Sequence, residues 1–293
     1  MNHIRHILRL TRPLHLFLAL LTYSFGLGLA RYLGTSLRVE AQFLGGAIVI
    51  LLLAASALFV EYFRPFNEPI VAGETRIERE MLQRLLLAFG VAFLGVAGLL
   101  VFLLQRAGSV RVDSGILLAA FAILALAKAL PPVRLINRGF GEIVDAFLIA
   151  SLTPTLAFLL QTGSLHRLLT LFTFPLFLIS LACFLALNFP AYADDLKYER
   201  RSLLVALTWQ QAVPIHNLLL VAAYLLLAAG PFLGISFDLV WPPLLTLPLA
   251  AYQILTLRNI ANGAAPIWSV FRITAMAITG LTAYLLALTL WLH

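Results

Sequence analysis

Nine long apolar runs, each close to the roughly 20 residues that a helix needs to cross hydrocarbon, constrain this chain more than any other feature. They lie near 15–32, 43–60, 85–104, 115–130, 143–160, 168–187, 212–229, 239–257 and 268–291. The fourth is short and borrows length from its flanks. Nearly 300 residues could make one large soluble domain, but only 11% of this chain is charged against 62% hydrophobic. An ordinary soluble domain carries about 25% charge, so too little is left to coat a water-facing surface. The reading is an all-α membrane protein of about nine transmembrane helices, folded as one domain over 1–293.

Charge then orients the bundle. With the N-terminus inside, Arg5, Arg9, Arg12, Arg64, Arg76, Arg79, Arg84, Lys128, Arg134, Arg138, Lys197, Arg200, Arg201, Arg258 and Arg272 fall on the inner side. Only Arg31, Arg38, Arg106, Arg111 and Arg167 fall outside, the bias that topology imposes on Lys and Arg. The chain is expected in a bacterial or archaeal cell membrane, with its N-terminus cytoplasmic and its C-terminus outside. The formal charge of +7 has no basic run or aromatic-interleaved patch behind it, which argues against nucleic acid. The single Cys183 excludes a disulfide framework and a thiolate metal site. Arg5, Arg9 and Arg12 precede the first run, but no small-residue cleavage site follows it, so it reads as a retained helix.

The acids are concentrated beyond what topology requires. Ten of the 13 Asp and Glu lie in three inner segments, which predicts a pocket built at the cytoplasmic end. In the first segment, Glu61 continues from the second span, and an ionisable group there is costly without a partner. Pro65 and Pro69 break any helix and turn the chain so that Asn67 and Glu68 can face back. In the second segment, Asp195 and Glu199 share a face if the stretch is helical, with Asn188 near that face and Asp194 beside it. Adjacent helical residues differ by about 100° in direction, so the spacing leaves open which of Asp194 and Asp195 points inward. Lys197, Arg200 and Arg201 follow at once. Carboxylates suited to Mg²⁺ beside cations suited to phosphate oxygens describe a diphosphate site. In the third segment, Pro131 and Pro132 end the fourth span and Gly139 and Gly141 turn the chain. Glu142 and Asp145 then open the fifth span, where carboxylates suit the helix dipole. Arg134 and Arg138 share a face if their stretch coils.

These segments resemble the UbiA superfamily of intramembrane prenyltransferases, especially its 1,4-dihydroxy-2-naphthoate polyprenyltransferase branch. Pro131-Pro132-Val133-Arg134-Leu135 and Arg138-Gly139-Phe140-Gly141-Glu142 are similar to PPxRLxxRGxGE. Phe189-Pro190-x-Tyr192-x-x-Asp195 and Arg201-Ser202-Leu203 resemble FPDYxxDxxxGKRTL, and Glu61-Tyr62-Phe63 the core of NEYFDxxxD. The resemblance runs from Arg12-Pro13 to the ninth span. The chain departs from the motifs at Val60, where Asn is expected, and at Arg64 and Ala191, where Asp is expected; Glu199 stands where Gly is usual.

The resemblance implies nine helices around a central cavity open to the cytoplasm, and transfer of a prenyl group from a prenyl diphosphate to an aromatic acceptor in menaquinone biosynthesis. It implies catalytic roles for Asp195, Glu61 and Asn188. It also implies Mg²⁺ held by Glu61, Glu68, Asp194, Asp195 and Glu199, and diphosphate held by Arg76, Lys197, Arg200, Arg201, Arg134 and Arg138. The departures from the motifs open a second expectation, a relative that binds a prenyl lipid or quinone without turnover. A transporter would place charges at mid-bilayer depth, and the apolar runs are nearly free of them.

Overall fold

The computed structural model describes residues 3–71 and 73–293, with the side chains of residues 3–5, Arg5 among them, outside the description. Among the described residues there are helices and no strands. In lipid every backbone N–H and C=O must be satisfied within the segment, and a helix does this. Among the described residues nine helices are long and apolar enough to span: α1 (Pro13–Tyr32), α2 (Val39–Tyr62), α3 (Arg76–Arg106), α4 (Val112–Ala129), α5 (Gly141–Thr162), α6 (Arg167–Lys197), α7 (Leu203–Ala228), α8 (Phe237–Ala261) and α9 (Trp268–Leu292). Each matches one expected run, α4 and α7 ending one residue short of it. The largest differences are at α3 and α7, which each start nine residues earlier than their runs, and at α6, which ends ten residues later; α3 starts early because Thr75 and Glu78 form a reciprocal capping box. The charged stretch Glu74–Arg84 is therefore mostly helix.

Three spans are irregular where the sequence asks for it. α5 carries a π turn over Leu148–Leu152 just ahead of Pro154. α7 is interrupted at Thr208, whose φ of 63° is left-handed. α8 is two helices, Phe237–Leu244 and Leu247–Ala261, with Pro242 and Pro243 before the break.

The first and last spans pack side by side and so close the bundle, while α1 also lies on α5, α2 on α3, and α6 on both α7 and α9. The α1–α5 crossing requires Gly26, since a Cβ there would lie 2.2 Å from the Pro154 carbonyl oxygen. Small residues allow such backbone approach in membranes. α3 turns Phe89, Val91, Val96, Leu99 and Phe102 outward, an apolar face that lipid covers at no cost. A short N-terminal helix, His3–Leu10, tucks Ile7 against Leu58, Ile70 and Leu86. Every loop bearing an acidic segment emerges at the same end of the bundle as this helix.

Candidate functional site

At that charged end a cavity of about 420 Å³ opens among the helices. A larger crevice of about 570 Å³ lies between α2, α3 and α4, but its walls are apolar apart from Gln105 and Arg111. The charged cavity draws on all three acidic segments: Glu61, Arg64 and Glu68 from the first, Arg134, Glu142 and Asp145 from the third, and Asn188, Asp195, Arg200 and Arg201 from the second. Leu14, Val60, Ile136, Phe184 and Leu187 form its apolar wall.

The first segment is shaped by Arg79, buried in the second turn of α3. Its guanidinium donates to the carbonyl oxygens of Arg64 (3.2 Å), Pro65 (2.8 Å), Phe66 (3.1 Å) and Glu68 (2.9 Å), and to the Glu74 carboxylate (3.2 Å). This folds the loop around one cation and turns Glu68 inward, only 4% exposed. Asn67 is left on the surface, so the prolines bring one of the two expected side chains back. Arg76 also lies outside: its side chain is 80% exposed and pairs with Glu80.

The second segment settles the choice between neighbouring acids, since Asp195 is buried and Asp194 is exposed. The expected face shared by Asp195 and Glu199 does not form. The helix ends at Lys197, and Glu199 is an exposed residue with φ 53°, the left-handed region that favours glycine. That turn sends Arg200 back to Asp195, Nη1 to Oδ1 3.1 Å, and Ser202 Oγ donates to Asp195 Oδ2 at 2.7 Å. Lys197 points away and lies over the Tyr198 ring.

In the third segment Arg134 donates to the Phe63 carbonyl oxygen, while Arg138 is exposed and reaches only the Pro132 carbonyl; they do not share a face. Glu142 serves another helix: it accepts from Leu203 N–H, at the start of α7, and from Asn188 Nδ2. Asp145 is the counterion of Lys128, 2% exposed, with Nζ 2.5 Å from Oδ1. Arg12 and His15 stand at 3.4 and 3.6 Å from the other oxygen.

Sequence reasoning gave no site role to Arg12, His15, Arg64, Lys128 or Arg272. One signal was available: Lys128 lies within an apolar run and His15 opens one, where an ionisable group needs a partner. The structure adds that Arg12, ahead of Pro13, takes φ 56°, a strained conformation of the kind that clusters at functional sites.

Across the cavity the carboxylates and guanidiniums alternate. Arg64 pairs with Glu61 and, at 2.5 Å, with Glu68; Arg200 pairs with Glu68 and Asp195. Arg12 stands 4.0 Å from the far oxygen of Glu61. Burial alone lowers the Arg200 pKa, but Glu68 and Asp195 outweigh it and hold the guanidinium above its ordinary value. Mg²⁺ requires several free oxygens at close range. Here Glu61, Glu68 and Asp195 are each engaged by arginine, and Asp194 and Glu199 face out. Among the described residues no three Asp, Glu, His or Cys are grouped to hold a metal ion. The donor set does not fit Mg²⁺ as folded.

Such a bundle, apolar outside and with an ion-lined cavity at one end, is that of an integral membrane protein. No protein-family model matches the sequence, and no curated protein matches it. Solved structures do match in fold. A UbiA homologue from Archaeoglobus fulgidus, bound to DMAPP and Mg²⁺, superposes with a TM-score of 0.58 at 18% identity, covering 96% of this chain and 98% of that one. Digeranylgeranylglyceryl phosphate synthase gives 0.58 at 13% identity, covering 100% and 98%. The apo UbiA homologue from Aeropyrum pernix K1 gives 0.56 at 14%, covering 94% and 96%. The chain has the fold of these UbiA homologues.

Proposed function

We propose that this chain belongs to the UbiA superfamily and is an intramembrane prenyltransferase, working on a prenyl diphosphate whose head enters the charged cavity and whose chain lies among the spans. The observation that carries this reading is the convergence of Arg12, Arg64, Arg134, Arg200, Arg201 and Arg272 on one cavity with apolar walls. Guanidinium forks match phosphate oxygens two at a time. The fold adds support, since the Archaeoglobus homologue is described with DMAPP bound.

In the reaction the allylic C–O bond breaks, its electron pair leaves with the diphosphate, and the acceptor's nucleophilic carbon closes on the allylic cation before its proton passes to the released diphosphate. The arginines stabilise charge where the leaving group develops it. The apolar wall keeps water from the cation, and the Phe184 ring, stacked on His15 at 4.6 Å, offers a π surface. Glu61 and Asp195 position Arg64 and Arg200, and Asn188 holds Glu142. The acceptor we propose is aromatic, 1,4-dihydroxy-2-naphthoate in menaquinone biosynthesis, on the likeness of the Pro131–Glu142 motif. The chain works as a single membrane domain with this site facing the cytoplasm of a bacterial or archaeal cell.

Diphosphate release in lipid nanodiscs tests the reading. Farnesyl or longer prenyl diphosphates with dihydroxynaphthoate should give prenylated product, and Arg200→Gln should slow it about 100-fold or more. The engagement of Glu61, Glu68 and Asp195 by arginine favours a second reading, a protein that holds a prenyl lipid without turnover. Tight binding with no release from any donor would select it.

A further inference from the structure

We infer that this cavity binds the diphosphate head directly on arginine, with Arg64 standing between Glu61 and Glu68 and Arg200 between Glu68 and Asp195, where a divalent ion would need free carboxylates, so that binding requires no metal. The inference rests on the prenyl diphosphate reading above and sharpens it.

Two independent features carry it. The first is the unbroken series Glu61–Arg64–Glu68–Arg200–Asp195, which joins the first and second segments through guanidiniums alone. A divalent cation entering here would have to displace two arginines and then sit beside them. The second is a surplus of cation. Arg201 and Arg272 line the cavity, are exposed, and have no side-chain partner among the described residues. Six guanidiniums against five carboxylates line the cavity, so there is no excess of negative charge for a dication to neutralise before an anion can enter. The incoming diphosphate meets two unengaged guanidiniums, with Arg200, the sequence neighbour of Arg201, lining the same cavity.

Geranyl diphosphate binding to the full chain in nanodiscs, measured by calorimetry first in EDTA and then in excess Mg²⁺, tests this. The expected result is a dissociation constant that differs by less than about threefold between the two, given that charge-assisted arginine contacts supply the affinity. Binding seen only with Mg²⁺ overturns the inference and leaves the prenyl diphosphate reading standing. Binding in neither condition overturns both. Arg201→Gln and Arg272→Gln remove exposed, unpaired groups and so should fold; each should weaken binding in EDTA by about tenfold, and unchanged affinity in both overturns the inference. Arg64→Asp, which supplies a carboxylate between Glu61 and Glu68, should make binding depend on Mg²⁺ or Mn²⁺. Metal-free binding of wild-type strength in a folded Arg64→Asp protein overturns it as well.

Discussion

Glu199 holds a left-handed φ of 53° without any cavity contact to compensate. A non-glycine residue in that region costs roughly 1–2 kcal/mol, and glycine's greater chain entropy takes back about half of this. Glu199→Gly should therefore raise unfolding stability by about 0.5–1 kcal/mol, read by thermal unfolding in detergent, while leaving ligand binding intact. Lys128 is the opposite case, buried and paired. Lys128→Met strands the Asp145 carboxylate with Arg12 and His15 as its remaining neighbours, at a cost of about 3 kcal/mol. Lys128→Met with Asp145→Leu should recover most of that loss. Neither pairing could be read from spacing, because periodicity relates residues within one element. Lys128 meets Asp145 across a loop, and Arg200 meets Glu68 across 132 positions. What could be read was the demand for a partner: Glu61 was singled out because a charge at a span's end needs one, and it has one.

At the level of elements, the reading succeeded where lipid leaves the chain little choice and failed where short loops do. All nine runs became helices, since no alternative satisfies their backbone in hydrocarbon. The loop after α2 was harder. Proximity to the acids favoured Arg76, yet the helix cap at Thr75 places Arg76 on the surface, and Arg79 gathers the loop carbonyls. Arg79→Lys keeps the charge but loses the planar fork that reaches four carbonyl oxygens. It should cost about 2–3 kcal/mol and open residues 64–75 to limited proteolysis, with the nine spans still protected. Resistance equal to wild type would remove Arg79 from this role.

For the whole molecule, the closing of α9 against α1 brings Arg272 to the same mouth as Arg12 although 260 residues separate them. On the topology proposed from the distribution of Lys and Arg, that mouth would face the cytoplasm. With Cys183 replaced, a single cysteine at Ser164 should react with an impermeant maleimide on intact cells. One at Asn262, at the opposite end, should react only after permeabilisation. The reverse pattern would invert the topology. The motifs conveyed the fold better than the site: the nine-helix frame forms with Arg64 where the motif has an acid, whereas the charge of the cavity changes with that side chain.

The alternating series from Glu61 to Asp195 also governs how this cavity can change over generations. Its two termini are acids, each with further support, Glu61 from Arg12 and Asp195 from Ser202. Its interior arginines have carboxylates on both sides. Loss of a terminal acid frees one cation, which an anionic ligand tolerates, whereas loss of an interior arginine leaves two carboxylates confronting each other. Drift can thus erode the series from its ends, while its middle can be rewritten only by paired substitutions, and the present arrangement is a basin that single steps do not leave.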